Sequence, residues 1–334
     1  MVHAVNFIGP CKGSTFTFQI KGVIKAPTDP KLFCSKSWIS FRYVNRIEIK
    51  GGGAFNGEGV YAWGKGQCPT TGLPSTLTFD FINNAVVHNI RSINSKGVHF
   101  DVFKCHNVRF SHINITAPGD SPNTDGMRIG FSTNIQVLDS NIGTGDDCIA
   151  IIAGSKSINV SGVTCGPGHG ISIGSLGNTP NPVVKDIHVK SCTLTATQNG
   201  VRIKTRAPSN AGIATMITFE DIIMNNVWNP IFIDQHYCAP DDCSTQTSSV
   251  QVKDVTYNNI RGTSSSVAAV TFNCSAKFPC QGIKLHDINL SYNDPGGPAI
   301  SICANARGTP TGKELPPSCL KPSLSFTNVG LLEF

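Results

Sequence analysis

From residue 85 onward the chain repeats one pattern, with apolar or small residues at positions 0, +2, +5 and +7 of each unit. The first four full copies are Val108, Phe110, Ile113, Ile115; Ile135, Val137, Ser140, Ile142; Ile158, Val160, Val163, Cys165; and Ile187, Val189, Cys192, Leu194. Three more read as Ile217, Phe219, Ile222, Met224; Val250, Val252, Val255, Tyr257; and Ile283, Leu285, Ile288, Leu290. Ala85, Val87 and Ile90 precede them, as do Ile47 and Ile49, and copies start 23 to 33 residues apart. Within a copy the period of two marks strands, and the step from +2 to +5 marks a bend onto a second sheet. A further strand pair follows each copy: Val98 and Phe100, Met127 and Ile129, Ile149 and Ile151, Ile171 and Ile173, Val201 and Ile203, Ile231 and Ile233.

No segment carries a long, capped helical period, so crossover helices are not expected. The leucine consensus of leucine-rich repeats is missing, and the repeat is too short for the four strands of a propeller blade. Short β-branched strands in coils of this length predict an all-β chain, a right-handed parallel β-helix forming a single domain over residues 1–334.

Stacking turns sequence spacing into proximity. Asp125, Asp147 and His169 each stand two residues before the first apolar residue of their strand, in "NTDGMRIG", "GDDCIAII" and "GPGHGISIG". They are therefore expected in one column on three successive coils, each one strand spacing of about 4.8 Å from the next. Strand parity alone points them inward, and Gly126 and Gly170 supply joints where a bend turns them out. Asp146 lies one residue earlier. On the following coil "GVRIKT" places Val201 and Ile203 inward and Arg202 and Lys204 outward, beside the acids.

Taken singly, "NTDG" is a turn, "GDD" a solvated loop or cation site, "GHG" a structural element and "RIK" a solvated strand face. Jointly they suit hydrolysis of an acidic glycoside. An inverting glycosidase needs a protonated acid on one side of the sugar carbon and a carboxylate base on the other, about 6.5–9.5 Å apart. Two coil spacings come to roughly that distance. Like charges side by side push one carboxyl's pKa upward and create the donor. Arg202 and Lys204 would then hold a sugar carboxylate.

Composition narrows the setting. With 40% hydrophobic and 14% charged residues a sizeable core is possible. A net charge of +6 suits a polyanion, but no basic run or zinc-finger spacing accompanies it, which disfavours nucleic acid. No stretch has the roughly 20 apolar residues of a membrane span. Thirteen cysteines point to an oxidising compartment, with Cys274/Cys280 and Cys238/Cys243 as local staples and at least one thiol left over. Sequons at Asn114, Asn159, Asn273 and Asn289 lean toward a secretory route. No signal peptide is visible at the start, so the chain is expected to lack its natural beginning.

The blocks "NTDGMRIG", "GTGDDCIAI", "CGPGHGISIGSLG" and "VRIKT", in that order, closely resemble the four motif blocks of family 28 glycoside hydrolases, the polygalacturonases. "IFIDQHYC" and "FNCSAKFPC" resemble the plant branch, and "ISICANARGTPTGKELPPSCL" resembles its pollen-type exopolygalacturonases. The resemblance implies a pectin-lyase-like solenoid, secreted and monomeric, that hydrolyses α-1,4-galacturonosyl linkages of demethylated pectin with inversion and needs no metal or organic cofactor. It implies exo action, with endo action or a catalytically poor pectin-binding pollen antigen as the alternatives. It makes Asp146 the general acid, Asp125 and Asp147 the pair that positions and deprotonates water, and His169 the support of the acid. It gives Arg202 and Lys204 to galacturonate binding and pairs Cys148 with Cys165 in a disulfide. It also implies that a signal peptide, a first coil and an end cap are missing here.

Overall fold

The computed structural model describes every residue except 30, 31, 33, 65–71, 239–246, 293–296 and 323–334. Helical structure among the described residues is confined to 3-10 turns, at Leu32 and at Gly59–Tyr61; the rest of the regular structure is strand. Eleven strands stack in one sheet, running from Val5–Ile8 through Phe100–Phe103, Met127–Gly130, Ile149–Ile151, Ile171–Leu176 and Asn199–Arg206 to Ile300–Ala304. Longer, bent strands such as His106–Thr116 and Gly212–Val227 build the opposing sheet. Each strand pairs in parallel with its equivalent on the next coil, as in His106–Thr116 with Thr133–Leu138 and Met127–Gly130 with Ile149–Ile151. The fold is thus an all-β coil of parallel strands.

Alternation sends one face of each strand inward. Val108, Ile135, Ile158, Ile187 and Ile217 are in register, as are Phe110, Val137, Val160, Val189 and Phe219, all 1% exposed or less. One continuous core runs from Ala26 to Ala306. Near its start Phe79, Phe100 and Phe110 meet with ring centroids 5.5 to 6.2 Å apart, a geometry that adds edge-to-face attraction to apolar burial.

The bend between sheets has a specific backbone cause. Asn89, His112, Asp139, Gly162, Ser191, Asp221, Asn259 and Asp287 all have φ between 46° and 68°, and each sits four residues after the first apolar position of its copy. A second left-handed column, Asn84, Asn107, Asn134, Ser157, Asp186, Met216, Asp254 and Gly282, stands just before that position. Asn and Asp tolerate this region best among residues with a Cβ. Their amides also stack: Asn134 Nδ2 donates to Asn107 Oδ1 at 3.1 Å, and Asn107 Nδ2 to Asn84 Oδ1 at 2.5 Å.

Two frames read from the sequence are corrected by the register. Met127 pairs with Phe100 and Ile129 with Val102, so Phe100 and Val102, not Val98 and Phe100, form that coil's inward pair. Ile217 and Phe219 pair with Val255 and Tyr257, and the copy begins at Val255 rather than Val250. The intervening coil is longer than its neighbours, and Val250 and Val252 extend its strand opposite Gly212 and Ala214.

Disulfides join Cys148 to Cys165, Cys274 to Cys280 and Cys303 to Cys319. Cys238 is disulfide-bonded as well, while its expected partner Cys243 lies outside the described residues. Cys11 is free and exposed; Cys105 and Cys192 are free and buried.

The corrected frame makes a test. Gly262 occupies the column of Met224 and Leu290, with φ +128°, and a Cβ there would lie 1.9 Å from the Met224 carbonyl oxygen. Gly262→Ala should cost more than about 2 kcal/mol through combined strain and backbone collision, read as a lower denaturation midpoint. A midpoint equal to the parent's would contradict the assigned register.

Candidate active site

Met127, Ile149, Ile171 and Val201 are in register on four successive strands. Asp125, Asp147 and His169 therefore stand in one column, with Asn199 as its fourth member. Close backbone approach holds the column together: Gly126 N–H donates to Asp147 O at 2.9 Å and Cys148 N–H to Gly170 O at 2.8 Å. A Cβ on Gly126 would lie 2.5 Å from Cys148 O, and one on Gly170, at φ +89°, 2.0 Å from Asn199 O. Both joints require glycine.

Asp147 is the most enclosed of the acids, 2% exposed. Its Oδ1 accepts from Ser172 Oγ at 2.7 Å and from Arg202 Nη2 at 2.8 Å, and its Oδ2 accepts from Lys204 Nζ at 2.8 Å. Arg202 Nε also donates to Ser172 Oγ at 3.0 Å. The two cations predicted to face outward are each only 7% exposed and are committed to this carboxylate. A buried charge needs such pairing and hydrogen bonding.

Asp146 and His169 form a second unit, with Oδ1 2.9 Å from Nδ1 and side chains 22% and 38% exposed. The same oxygen accepts the backbone N–H of Asp147 at 2.8 Å. The disulfide from Cys148 to Cys165 ties the turn carrying both aspartates to the turn leading into His169.

Charge divides the acids. Burial, then the charges of Asp146 and Asp147, hold the Asp125 carboxyl well above the usual range, against the opposing pull of Arg128 and Lys204. Burial also disfavours the charge on Asp146, but the hydrogen bond and charge of His169, with Lys204, outweigh it and hold that carboxyl low. Without substrate the proton therefore favours Asp125, whereas the motif resemblance makes Asp146 the donor.

Three contributors escape a reading of the sequence. Ser172 sits at an outward position directly opposite Arg202 in the register, and strand parity could have found it. Tyr237 comes under Lys204, with Nζ 5.2 Å from its ring centroid, only because the register shifts between Lys204 and Arg206. Arg128, inside the first motif, donates from Nε and Nη2 to Asp101 at 3.1 and 2.6 Å. It lines an open groove of about 910 Å³ that runs from Asn123 toward the N-terminal coils.

Among the described residues, Asp146, Asp147 and His169 also bring ligand atoms within 4.8 Å of one another, the spacing of a metal triad. The donor set argues otherwise, since both oxygens of Asp147 already face cations. A divalent ion would have to displace Arg202 and Lys204 and sit beside their charge.

A stacked acid–imidazole cluster on a coil of parallel strands has the groups that hydrolysis of a glycoside requires. The chain belongs to glycosyl hydrolases family 28, whose model matches residues 1–314. It is 46% identical over 314 residues to an exopolygalacturonase of Platanus acerifolia, covering 92% of this chain and 83% of that protein. Its identity to a polygalacturonase of Gossypium hirsutum is 42%, over 96% of this chain and 80% of the relative. Among solved structures, an endo-xylogalacturonan hydrolase from Aspergillus tubingensis superimposes with TM-score 0.79 at 24% identity, covering 95% of this chain and 92% of that one. An exopolygalacturonase from Thermotoga maritima gives TM-score 0.74 at 18% identity, over 93% and 82% of the two chains. These two likenesses establish the fold alone.

Two outcomes test the electrostatics. Asp147→Ala strands two buried cations and should cost about 3–5 kcal/mol of stability, measured by denaturant titration; a loss under about 1 kcal/mol would contradict the network. Asp125→Asn should raise thermal stability near neutral pH. The native Asp125 pKa is raised above its unfolded value, so its ionisation costs stability as pH climbs from the ordinary aspartate range through the raised value. The gain should vanish below that ordinary range, and a gain independent of pH would contradict the assignment.

Proposed function

We propose that this protein hydrolyses α-1,4-galacturonosyl linkages of polygalacturonate, acting from a chain end to release galacturonate. The observation that carries the reading is the Asp125–Asp146–Asp147 cluster beside Arg202 and Lys204 in a family 28 chain whose relatives include proteins named exopolygalacturonases. The finer architecture belongs to the same proposal: a right-handed helix, one domain, monomeric, acting outside the cell. Among the described residues no helix is long and apolar enough to cross a membrane.

Arg202 and Lys204 each have more N–H donors than Asp147 uses, so they bridge that carboxylate and a sugar carboxylate at once. Methyl esterification removes the sugar's charge and weakens this contact. Asp146 protonates the leaving glycosidic oxygen, and the C1–O bond breaks. A water held by Asp125 and Asp147 attacks C1 from the opposite face and gives up its proton to the carboxylates. Because the proton rests on Asp125 without substrate, the reactive form arises when it passes to Asp146. Substrate drives that transfer by shielding Asp146 from water, which favours its neutral form.

The raised Asp125 pKa favours a second reading, in which Asp125 is the donor and the His169-bound Asp146 the base. Leaving-group dependence separates them. Asp146→Asn should lower kcat on polygalacturonate by about 10²–10⁴-fold and far less on a nitrophenyl galacturonide, whose leaving group needs no proton. Asp125→Asn should slow both substrates. The reverse pattern would establish the second reading.

A further inference from the structure

The sheet that carries the acids has an outward row next to them. The register makes it Asp101, Arg128, Ala150, Ser172 and Arg202 on successive coils. Two arginines thus bracket two small residues, three strand spacings or about 14 Å apart along the coil axis. The turns bearing Asp125, Asp146, Asp147 and His169 belong to the coils between and beside them. A chain that leaves the groove and passes the acids meets a cation on either side of the cleavage point.

The two arginines differ in their state. Arg202 is 8% exposed at its side chain and anchored on Asp147, whereas Arg128 is 39% exposed and open to the groove. Only Nε and Nη2 of Arg128 bind Asp101, and Nη1 makes no hydrogen bond among the described residues. Further toward the N-terminus the row continues as Asp101, Thr78, Ser40 and Asn6. In the neighbouring row Arg42 is already paired with Asp80 at 2.8 Å. Lys36 is exposed at the groove margin, and buried Lys96 donates to the backbone carbonyls of Pro27 and Gly57. A polyanion therefore finds one accessible arginine next to the acids and then the carboxylate of Asp101.

Resting on the polygalacturonate reading above, we propose that Arg128 receives the carboxylate of the galacturonate on the N-terminal side of the scissile bond. Asp101 is its internal counter-ion in the empty groove and repels the carboxylate of any further galacturonate. The pair admits one sugar, the terminal one, and so confers exo action by charge. The bland alternative is a cross-strand ion pair that merely braces two coils. Arg128 also bears on the chemistry, because its charge opposes the burial that raises the Asp125 pKa.

The test compares wild type, Arg128→Gln and Asp101→Asn, each verified as folded by its melting curve, on trigalacturonate and polygalacturonate. Wild type must first release galacturonate; if it does not, the functional reading fails before this inference is reached. With active wild type, Arg128→Gln should raise KM about 10-fold or more, the loss of one charge-assisted contact. It should also move the acidic limb of kcat/KM to higher pH, since Asp125 then ionises later. Asp101→Asn should yield digalacturonate among the first products. A brace would lower the melting temperature and leave KM, pH limb and product size alone. An unchanged KM in Arg128→Gln, or monomer alone from Asp101→Asn, overturns the proposal.

Discussion

The site is organised around one enclosed carboxylate. Asp147 accepts from Arg202, Lys204 and Ser172, which come from two later coils. Each is held outward by a strand whose alternate residues, Ile171, Ile173, Val201 and Ile203, are fully buried. The core thus fixes the cations, and the cations fix the acid. Burying a carboxylate without such partners costs several kcal/mol, so the network is a condition for enclosing Asp147 this deeply. It also sets the neighbours' behaviour: Lys204 opposes the raised pKa of Asp125 and contributes to the lowered one of Asp146.

Parallel stacking is what makes this arrangement attainable from turns. Residues 22 apart in the chain become one strand spacing apart in space, and each turn contributes one or two polar groups to a shared face. The left-handed columns keep successive coils superimposable, so the face stays aligned. The disulfide between Cys148 and Cys165 closes the two turns that carry the Asp146–His169 pair.

Much of this was legible in the sequence. The period-two alternation and its bend define the inward columns, and equal offsets from Met127, Ile149 and Ile171 locate the Asp125–Asp147–His169 column. What escaped has physical reasons. The frames at Val98 and Val250 slipped because one apolar residue looks like another two positions away, and the longer coil before Val255 disguised the period. Outward parity was right for Arg202 and Lys204, but it says nothing of reach, and long side chains folded back onto Asp147 are nearly as enclosed as core residues. Tyr237 joins the site through a register shift that no periodicity encodes. The partition of the proton between Asp125 and Asp146 depends on burial and on a contact 23 residues away, which spacing alone does not supply.

In the proposed mechanism, proton donor and water-activating carboxylates work from opposite faces of the sugar, with no covalent sugar–enzyme intermediate. The direct measurement is proton NMR of a fresh polygalacturonate digest, recorded before the released sugar equilibrates. The first galacturonate released should be the β anomer, inverted from the α linkage. Initial release of the α anomer would contradict it, because retention requires one of these carboxylates to act as a nucleophile from about 5–5.5 Å away from its partner.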